Sequence, residues 1–254
     1  MPINKRTKIV ATLGPATSTK AVLKGMLDAG VNVFRVNFSH ANYDDVKERI
    51  EMIRDLNEEY GYNAAILADL QGPKLRVGVM KEEVIVQPGD EIVFATGKEF
   101  KGTASRVYMN YETFPQDVQK GERILLDDGK LIFEIVSTNK VDEVVTRVIQ
   151  GGPLKSKKGV NLPNTNISLP ALTEKDIEDA IFACKIKVDW MALSFVRNEQ
   201  DLILLQNLIK EHSEHKIPII SKIEKPEGVR NIDKIVAYCD GLMVARGDLG
   251  VEIP

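Results

Sequence analysis

Three apolar runs in this 254-residue sequence end on side chains able to do chemistry. The first ends Arg35-Val36-Asn37-Phe38-Ser39-His40. Side chains alternate along a strand, so Arg35, Asn37 and Ser39 share one face while Val36 and Phe38 take the other. A polar stripe is costly to bury unless something needs it, so it is either a hydrogen-bonded strand end or a binding face. The second ends Ser221-Lys222-Ile223-Glu224, with Lys222 and Glu224 on one face. That pair is a structural ion pair, or a cation for an anionic substrate beside a metal-binding carboxylate. The third ends Met243-Val244-Ala245-Arg246-Gly247-Asp248-Leu249-Gly250, with Asp248 in a Gly-bracketed turn where backbone N–H groups can approach a ligand. Glu224 after one strand and Asp248 after the next, completed by substrate oxygens and water, match the usual Mg²⁺ arrangement. A basic loop, Lys155-Ser156-Lys157-Lys158-Gly159, is a solvated face or, on a lid, a clamp for a polyphosphate.

The elements that must position these groups follow from the pattern of apolar residues. Lys8–Leu13, Val31–Phe38 and Ala64–Ala68 read as strands. Between them, Ser18 caps a helix with Val22, Met26 and Ala29 on its inner face, and Asn42 opens a second with Val46, Ile50 and Ile53. This β-α-β-α-β order signals a parallel sheet. From about Val77 to Asn166 the pattern changes to short strands and turns without helical period, a small all-β domain inserted into the α/β domain. The alternation then resumes. A capping box at Thr173 and Asp176 opens a helix facing inward through Ile177, Ile181 and Cys184. Trp190–Val196, Ile217–Ile223 and Leu242–Ala245 are further strands, and Asn198 opens the helix carrying Leu202, Leu205 and Leu208–Ile209. In parallel α/β sheets chemistry collects at the carboxyl ends of the strands, where the polar groups above fall.

Composition narrows the classes. Thirty-four Lys and Arg against 37 Asp and Glu, a formal charge of −3, leave no electrostatic footprint for nucleic acid as the main partner. No apolar run approaches the roughly 18 residues that span a membrane. The start, Met1-Pro2-Ile3-Asn4-Lys5-Arg6, does not read as a signal peptide, so a cytoplasmic protein without membrane partner is expected. Cys184 and Cys239 form no metal or disulfide framework and read as core residues. Phosphate-loop, dinucleotide-loop and zinc-protease motifs are absent.

Several stretches closely resemble the pyruvate kinase family. They are Thr7–Pro15, Phe34–His40, Asp69–Arg76, Lys157–Pro163, Ile220–Glu224 and Met243–Pro254, in the family's order and spread over the whole chain. The resemblance implies an α/β fold: a (β/α)8 TIM-type barrel with a small all-β lid domain inserted after the third strand. On that reading residues 1–71 begin the barrel, 72–168 form the lid and 169–254 continue the barrel. The barrel is truncated after the sixth strand, and a C-terminal regulatory domain lies outside the sequence. It implies phosphoryl transfer from phosphoenolpyruvate to ADP, giving pyruvate and ATP, by a homotetramer in the full-length protein. Lys222 would lie against the transferring phosphoryl group. Glu224 and Asp248 would hold Mg²⁺ or Mn²⁺, Arg35 the phosphate, and the Gly247 and Asp248 N–H groups the substrate carboxylate. Arg76 and Lys158 would contact nucleotide phosphates. Thr12, Pro15, Asn37, His40 and Tyr43 fall where the family places the nucleotide, although Ala41-Asn42 replaces a more usual Gly-containing turn.

One departure is informative. Many family members need K⁺, held at positions matching Asn37, Ser39, Asp69 and the Leu70 carbonyl, with Glu in a Gly-Pro-Glu stretch. Here the stretch reads Gly72-Pro73-Lys74, and Lys74 can supply the charge that K⁺ would add, so K⁺ is not expected to be required. Two other readings stand beside the kinase. One is a metal-dependent lyase or aldolase on a related barrel, which would need no nucleotide clamp. The other is a chain that binds metal or nucleotide without turnover, because six strands do not close an eight-stranded barrel. The expectation is a piece of a longer protein, with little or no catalysis by these 254 residues alone.

Overall fold

The apolar run around Val10 forms strand β1 (Val10–Thr12). In the computed structural model, which describes residues 6–253 apart from the side chain of His40, a 3₁₀ turn at Pro15–Thr17 and helix α1 (Lys20–Asp28) follow. The cap expected at Ser18 is instead Thr19, whose side chain accepts the Val22 N–H. The inner face also differs from the expected one: Leu23 and Leu27 are buried and Val22 is exposed. The two leucines bury more apolar area than Val22 and Ala29, and so decide which face turns inward.

Strand β2 (Val33–Asn37) alternates as expected, with Phe34 and Val36 buried and Arg35 and Asn37 half-buried. It ends one step early. Phe38–His40 wind into a 3₁₀ turn because the Asn37 Oδ1 accepts the Ser39 N–H at 3.1 Å, so Ser39 leaves the polar stripe. Helix α2 (Tyr43–Tyr60) is capped by Asn42, carries Asp44 and Asp45 in its first turn, and stops at Gly61, whose φ of +70° suits glycine. It buries Val46, Ile50, Ile53 and Leu56. Strand β3 (Ala65–Asp69) follows.

From Pro73 the chain builds short strands: β4 (Val84–Val86), β5 (Glu91–Ala95), β6 (Arg106–Tyr108), β7 (Arg123–Leu126), β8 (Leu131–Thr138), β9 (Glu143–Gln150), β10 (Gly152–Leu154) and β11 (Val160–Asn161). One helical turn, α3 (Phe114–Asp117), interrupts a region expected to carry none; Pro115 suits its first turn. Six strands pair in the order β11-β7-β8-β9-β5-β6, and β4 pairs with β10. The turn Gln87-Pro88-Gly89-Asp90 therefore joins strands of two sheets. Phe94 sits at the centre, edge-on to Phe133 at 5.2 Å and to Phe114 at 6.4 Å.

The chain then forms α4 (Glu174–Lys185), β12 (Trp190–Leu193), α5 (Glu199–His212), β13 (Ile219–Ile223), α6 (Pro226–Arg230), α7 (Ile232–Tyr238), β14 (Gly241–Val244) and α8 (Arg246–Glu252). Asn198 caps α5, which buries Leu202, Leu205 and Ile209. The capping box at Thr173 and Asp176 is present, but α4 turns Asp176, Asp179, Ala180, Ala183 and Cys184 inward and leaves Ile177 exposed. Buried acids were not foreseen there. Asp176 is held by the Thr173 N–H at 2.9 Å and the Gly72 N–H at 3.0 Å. Asp179 accepts from the Tyr43 hydroxyl and from Lys175, each at 2.7 Å. Those bonds offset desolvation.

The strand order β1-β2-β3-β12-β13-β14 makes a six-stranded sheet in which β1–β2, β2–β3, β3–β12 and β12–β13 pair in parallel. Contacts divide the described chain into two compact units. One comprises residues 6–72, 171–223 and 231–243; the other comprises 73–170, 224–230 and 244–253. The second differs from the expected lid in gathering 224–230 and 244–253, for which Lys225 and Glu252 supply a buried ion pair.

Asp176→Ala removes a cap and leaves the Gly72 N–H without its acceptor. Urea unfolding is expected to show a loss of about 2–4 kcal/mol. An exposed control on the same helix, Glu178→Ala, should change stability by less than about 0.5 kcal/mol. Equal effects would contradict the buried role of Asp176.

Candidate active site

Parallel register brings the ends of neighbouring strands abreast. Thr12 pairs with Arg35, Asn37 with Asp69, and Asp69 with Ala192, while Leu193 lies beside Ser221. The next residue on each of these last two chains is Ser194 and Lys222. Asp69, 2% exposed, is the hub of what collects there. Its Oδ2 accepts the Arg35 Nε–H at 2.6 Å, and a second guanidinium nitrogen lies equally close. Lys222 Nζ lies 3.2 Å from Asp69 Oδ1. The third guanidinium nitrogen of Arg35 donates to Thr12 Oγ1 at 2.8 Å. Lys222 also donates to Ser194 Oγ at 2.7 Å, and Ser194 donates to the Leu70 carbonyl at 2.7 Å.

Ser194 is the residue that sequence reasoning passes over. It lay inside the run read as a strand over Trp190–Val196, whereas the structure ends that strand at Leu193 and leaves the Ser194 hydroxyl directly after it. Its surroundings could not be read. Phe195 adopts φ +55°, an uncommon conformation for an aromatic residue. Gly72 passes so close that a Cβ on it would meet Phe195 at 3.0 Å and Ser194 at 3.1 Å. Gly72 also has φ +69°, so both space and backbone require glycine there.

The remaining candidates in this unit serve the scaffold visibly. Asn37 uses its Oδ1 on Ser39. Pro15 is the first residue of an exposed 3₁₀ turn, and Thr12 is exposed at the end of β1. Tyr43 stacks on Phe182 at 4.1 Å, and its hydroxyl is pushed well above the usual phenol range by burial and then by the Asp179 carboxylate. The side chain of His40 lies outside the described residues. Cys184 is buried and its thiol is pushed up by desolvation, which leaves it unreactive, as a core residue should be.

In the β-rich unit, Lys158 sits in a turn built on β7 and β11. Lys157 has φ +58°, and Asp127 donates its N–H to the Gly159 carbonyl at 3.1 Å. Lys158 Nζ reaches Asp127 Oδ1 at 2.9 Å. Arg76 is half-buried and bridges Gly159 through its backbone, its N–H donating to Asn110 Oδ1 at 2.7 Å. Lys74 is exposed. Glu224, 2% exposed, is the first residue beyond β13. Asp248 lies in the first turn of α8, a helix where an open turn was expected. Ala245 at the helix cap offers no side-chain acceptor, so the Gly247 and Asp248 N–H groups stand at an uncapped, positively polarised end.

Glu224 and Asp248 supply hard oxygen donors of the kind Mg²⁺ and Mn²⁺ take. Among the described residues no group of three or more His, Cys, Asp or Glu converges as a metal cage. A cation shared by these two carboxylates would take the rest of its shell from water and ligand oxygens, as Mg²⁺ usually does.

These features define an α/β protein with its charged groups at the carboxyl ends of a parallel sheet. The family model for the barrel domain of pyruvate kinase matches residues 4–254. Pyruvate kinases of Clostridium perfringens (strain 13 / Type A) and Mycobacterium tuberculosis (strain H37Rv) are each 42% identical to the chain, over 251 and 252 residues, or 98% and 99% of it. The pyruvate kinase of Bacillus licheniformis is 43% identical over 251 residues. The chain belongs to the pyruvate kinase family. It spans about half the length of these curated relatives, 53% of the first two and 43% of the third.

The Asp127 carboxyl is held below the usual carboxylate range by its bond to Lys158 first, and by Lys130 as well. A lowered folded-state pKa stabilises the fold above the unfolded value and loses that contribution as pH falls through the folded one. Lys158→Met should move the Asp127 titration, followed by carboxyl NMR shifts, upward toward the unperturbed value. An unmoved midpoint would show that Lys158 does not hold Asp127 in solution.

Proposed function

We propose that this chain carries the catalytic side chains of an enzyme that moves the phosphoryl group of phosphoenolpyruvate to ADP, giving pyruvate and ATP. The observation that carries the reading is the convergence of Arg35, Asp69, Ser194 and Lys222 at the ends of neighbouring parallel strands, in a chain of this family. Phosphoryl transfer asks little covalent chemistry of a protein and much positioning of charge. Asp69 and Ser194 hold the Lys222 ammonium at two fixed points, so little reorganisation is needed to meet a phosphoryl oxygen. Arg35 has N–H donors beyond those given to Asp69 and Thr12, and its planar fork suits phosphate.

Glu224 and Asp248 would hold the divalent cation, Mg²⁺ or Mn²⁺, which would supply neutralisation of the negative charge on the bound substrate. The Gly247 and Asp248 N–H groups receive the substrate carboxylate at the start of α8. Arg76 and Lys158 contact the nucleotide phosphates, and Lys158 exchanges Asp127 for phosphate when it does so. Thr12, Pro15, Asn37, His40 and Tyr43 border the nucleotide. The six-stranded sheet is read as six strands of a (β/α)8 barrel, and the β-rich unit as its lid. The protein works in the cytoplasm, and the family suggests a homotetramer.

K⁺ is not required on this reading. Three of the four oxygens at the cation positions already have donors: Asn37 has the Ser39 N–H, Leu70 has the Ser194 hydroxyl, and Asp69 has two cationic side chains. Lys74 supplies the further positive charge.

The test is ATP formation from phosphoenolpyruvate, ADP and Mg²⁺, followed by luciferase luminescence, in the protein carrying this segment at full length. Turnover is expected without K⁺, and Lys222→Met should reduce it about 10²–10³-fold. Lys74→Glu should make it depend on K⁺. Release of pyruvate without ATP would favour a lyase, and wild-type turnover that stops without K⁺ would refute the role of Lys74. From the 254-residue chain alone little turnover is expected, since β1 and β14 end the sheet with Val10 and Val244 at least half exposed.

A further inference from the structure

Glu252 is a buried acid that the reaction above does not use. It closes α8 and is 2% exposed. Its Oε1 accepts from Lys225 Nζ at 2.7 Å and from Asn161 Nδ2 at 2.9 Å, while its Oε2 is buried without a hydrogen-bond partner among the described residues. Lys225 is itself 8% exposed. Removing both charges from water is costly, and a well-packed apolar pair of similar volume is commonly as stable or more so. Stability is therefore a poor reason for this pair.

Its geometry offers a better one. Lys225 directly follows Glu224. Glu252 stands four residues, about one helical turn, beyond Asp248 on α8. Asn161 belongs to β11, which continues from the Lys158 turn. All three anchor points lie in the same compact unit. One carboxylate thus ties the residue after Glu224 to the helix that carries Asp248 and to the strand that follows Lys158.

We propose that the Lys225–Glu252 pair is a positioning device: it sets Glu224 and Asp248 relative to one another so that both present oxygens to a single divalent cation. The proposal rests on reading those two carboxylates as the cation's ligands. Glu252 acts through their backbone anchors, because it forms no three-carboxylate cluster with them. Partners that hold metal ligands in place typically contribute 10–100-fold to affinity.

The test titrates Mn²⁺ into the protein carrying this segment at full length and follows the free-ion signal by electron paramagnetic resonance. Wild type is expected to bind, and Glu224→Gln to bind much more weakly. The charge-neutral double variant Lys225→Met/Glu252→Leu should lose about 10–100-fold in affinity while its circular dichroism and melting midpoint stay at the wild-type values. Because the pair is removed whole, the net charge near the cation is unchanged and the loss reports geometry. Wild-type affinity in the folded double variant overturns the inference and leaves the carboxylate assignment standing. A wild type that binds no Mn²⁺, or Glu224→Gln with full affinity, overturns the assignment and the inference with it. Should the double variant unfold, the equally charge-neutral Lys225→Gln/Glu252→Gln, which keeps a polar pair at these positions, is the comparison. A smaller loss is expected from it, and wild-type affinity again overturns the inference.

Discussion

Asp69 is the carboxylate on which the charged end of the sheet depends. It lies almost wholly out of water at the end of β3, and two cationic side chains from β2 and β13 reach it. It pairs with both cations, and they in turn satisfy a carboxylate that would be among the most destabilising features of the fold if buried alone. The carboxylate in turn depends on strand register. Asn37, Asp69 and Ala192 stand abreast across three parallel strands, so the Arg35 and Lys222 chains arrive from opposite sides at fixed heights. A slip of one residue in either pairing would turn the partner to the other face of the sheet. The site is therefore as exact as the ladder beneath it.

Such a cluster is not the most stable filling for that space. Apolar residues of similar volume would hold β2, β3 and β13 together at least as well. What they could not do is fix an ammonium in direction. Lys222 carries three N–H donors on a flexible stem, and left alone it would sample many rotamers. Bonds to Ser194 and Asp69 hold it, and the Ser194 hydroxyl is itself aimed by the Leu70 carbonyl. The close approach of Gly72 to Ser194 and Phe195 completes that support, since any side chain at Gly72 would push β12 away from the end of β3.

Much of this was legible in the sequence, for reasons that differ by element. The helices announce themselves through caps that act locally: Asn42, Thr173 and Asn198 each satisfy N–H groups within three residues. Polar strand positions at Arg35 and Lys222 stand out because alternation is a property of the backbone alone. What the sequence hid is non-local. Asp176 and Asp179 look like solvent-facing acids on an amphipathic helix, yet their partners Gly72 and Tyr43 lie more than a hundred residues away. The same applies to Ser194, an unremarkable serine until Leu70 and Lys222 are placed beside it. Ser39 was misplaced for the opposite reason, a very local one. The Asn37 side chain competes for its N–H and curls the chain before the strand pattern runs out.

The β-rich unit follows a different logic from the sheet. Its core is mostly aliphatic, with Phe94 and Phe133 fully buried among Leu, Val and Ile side chains, and its basic turn is carried on backbone that few side chains tolerate: Asp127, Asp128 and Lys157 all have positive φ. Each such residue in a left-handed conformation stores some strain, which the surrounding ladder must offset. Lys158 is held here by a single carboxylate that is itself partly open to water. Exposed pairs of this kind are weak and easily exchanged, unlike the buried bonds around Asp69. The chain thus keeps two classes of cation. Arg35 and Lys222 are fixed by register and by the buried Asp69, while Lys158 is held by one pair that is open to water.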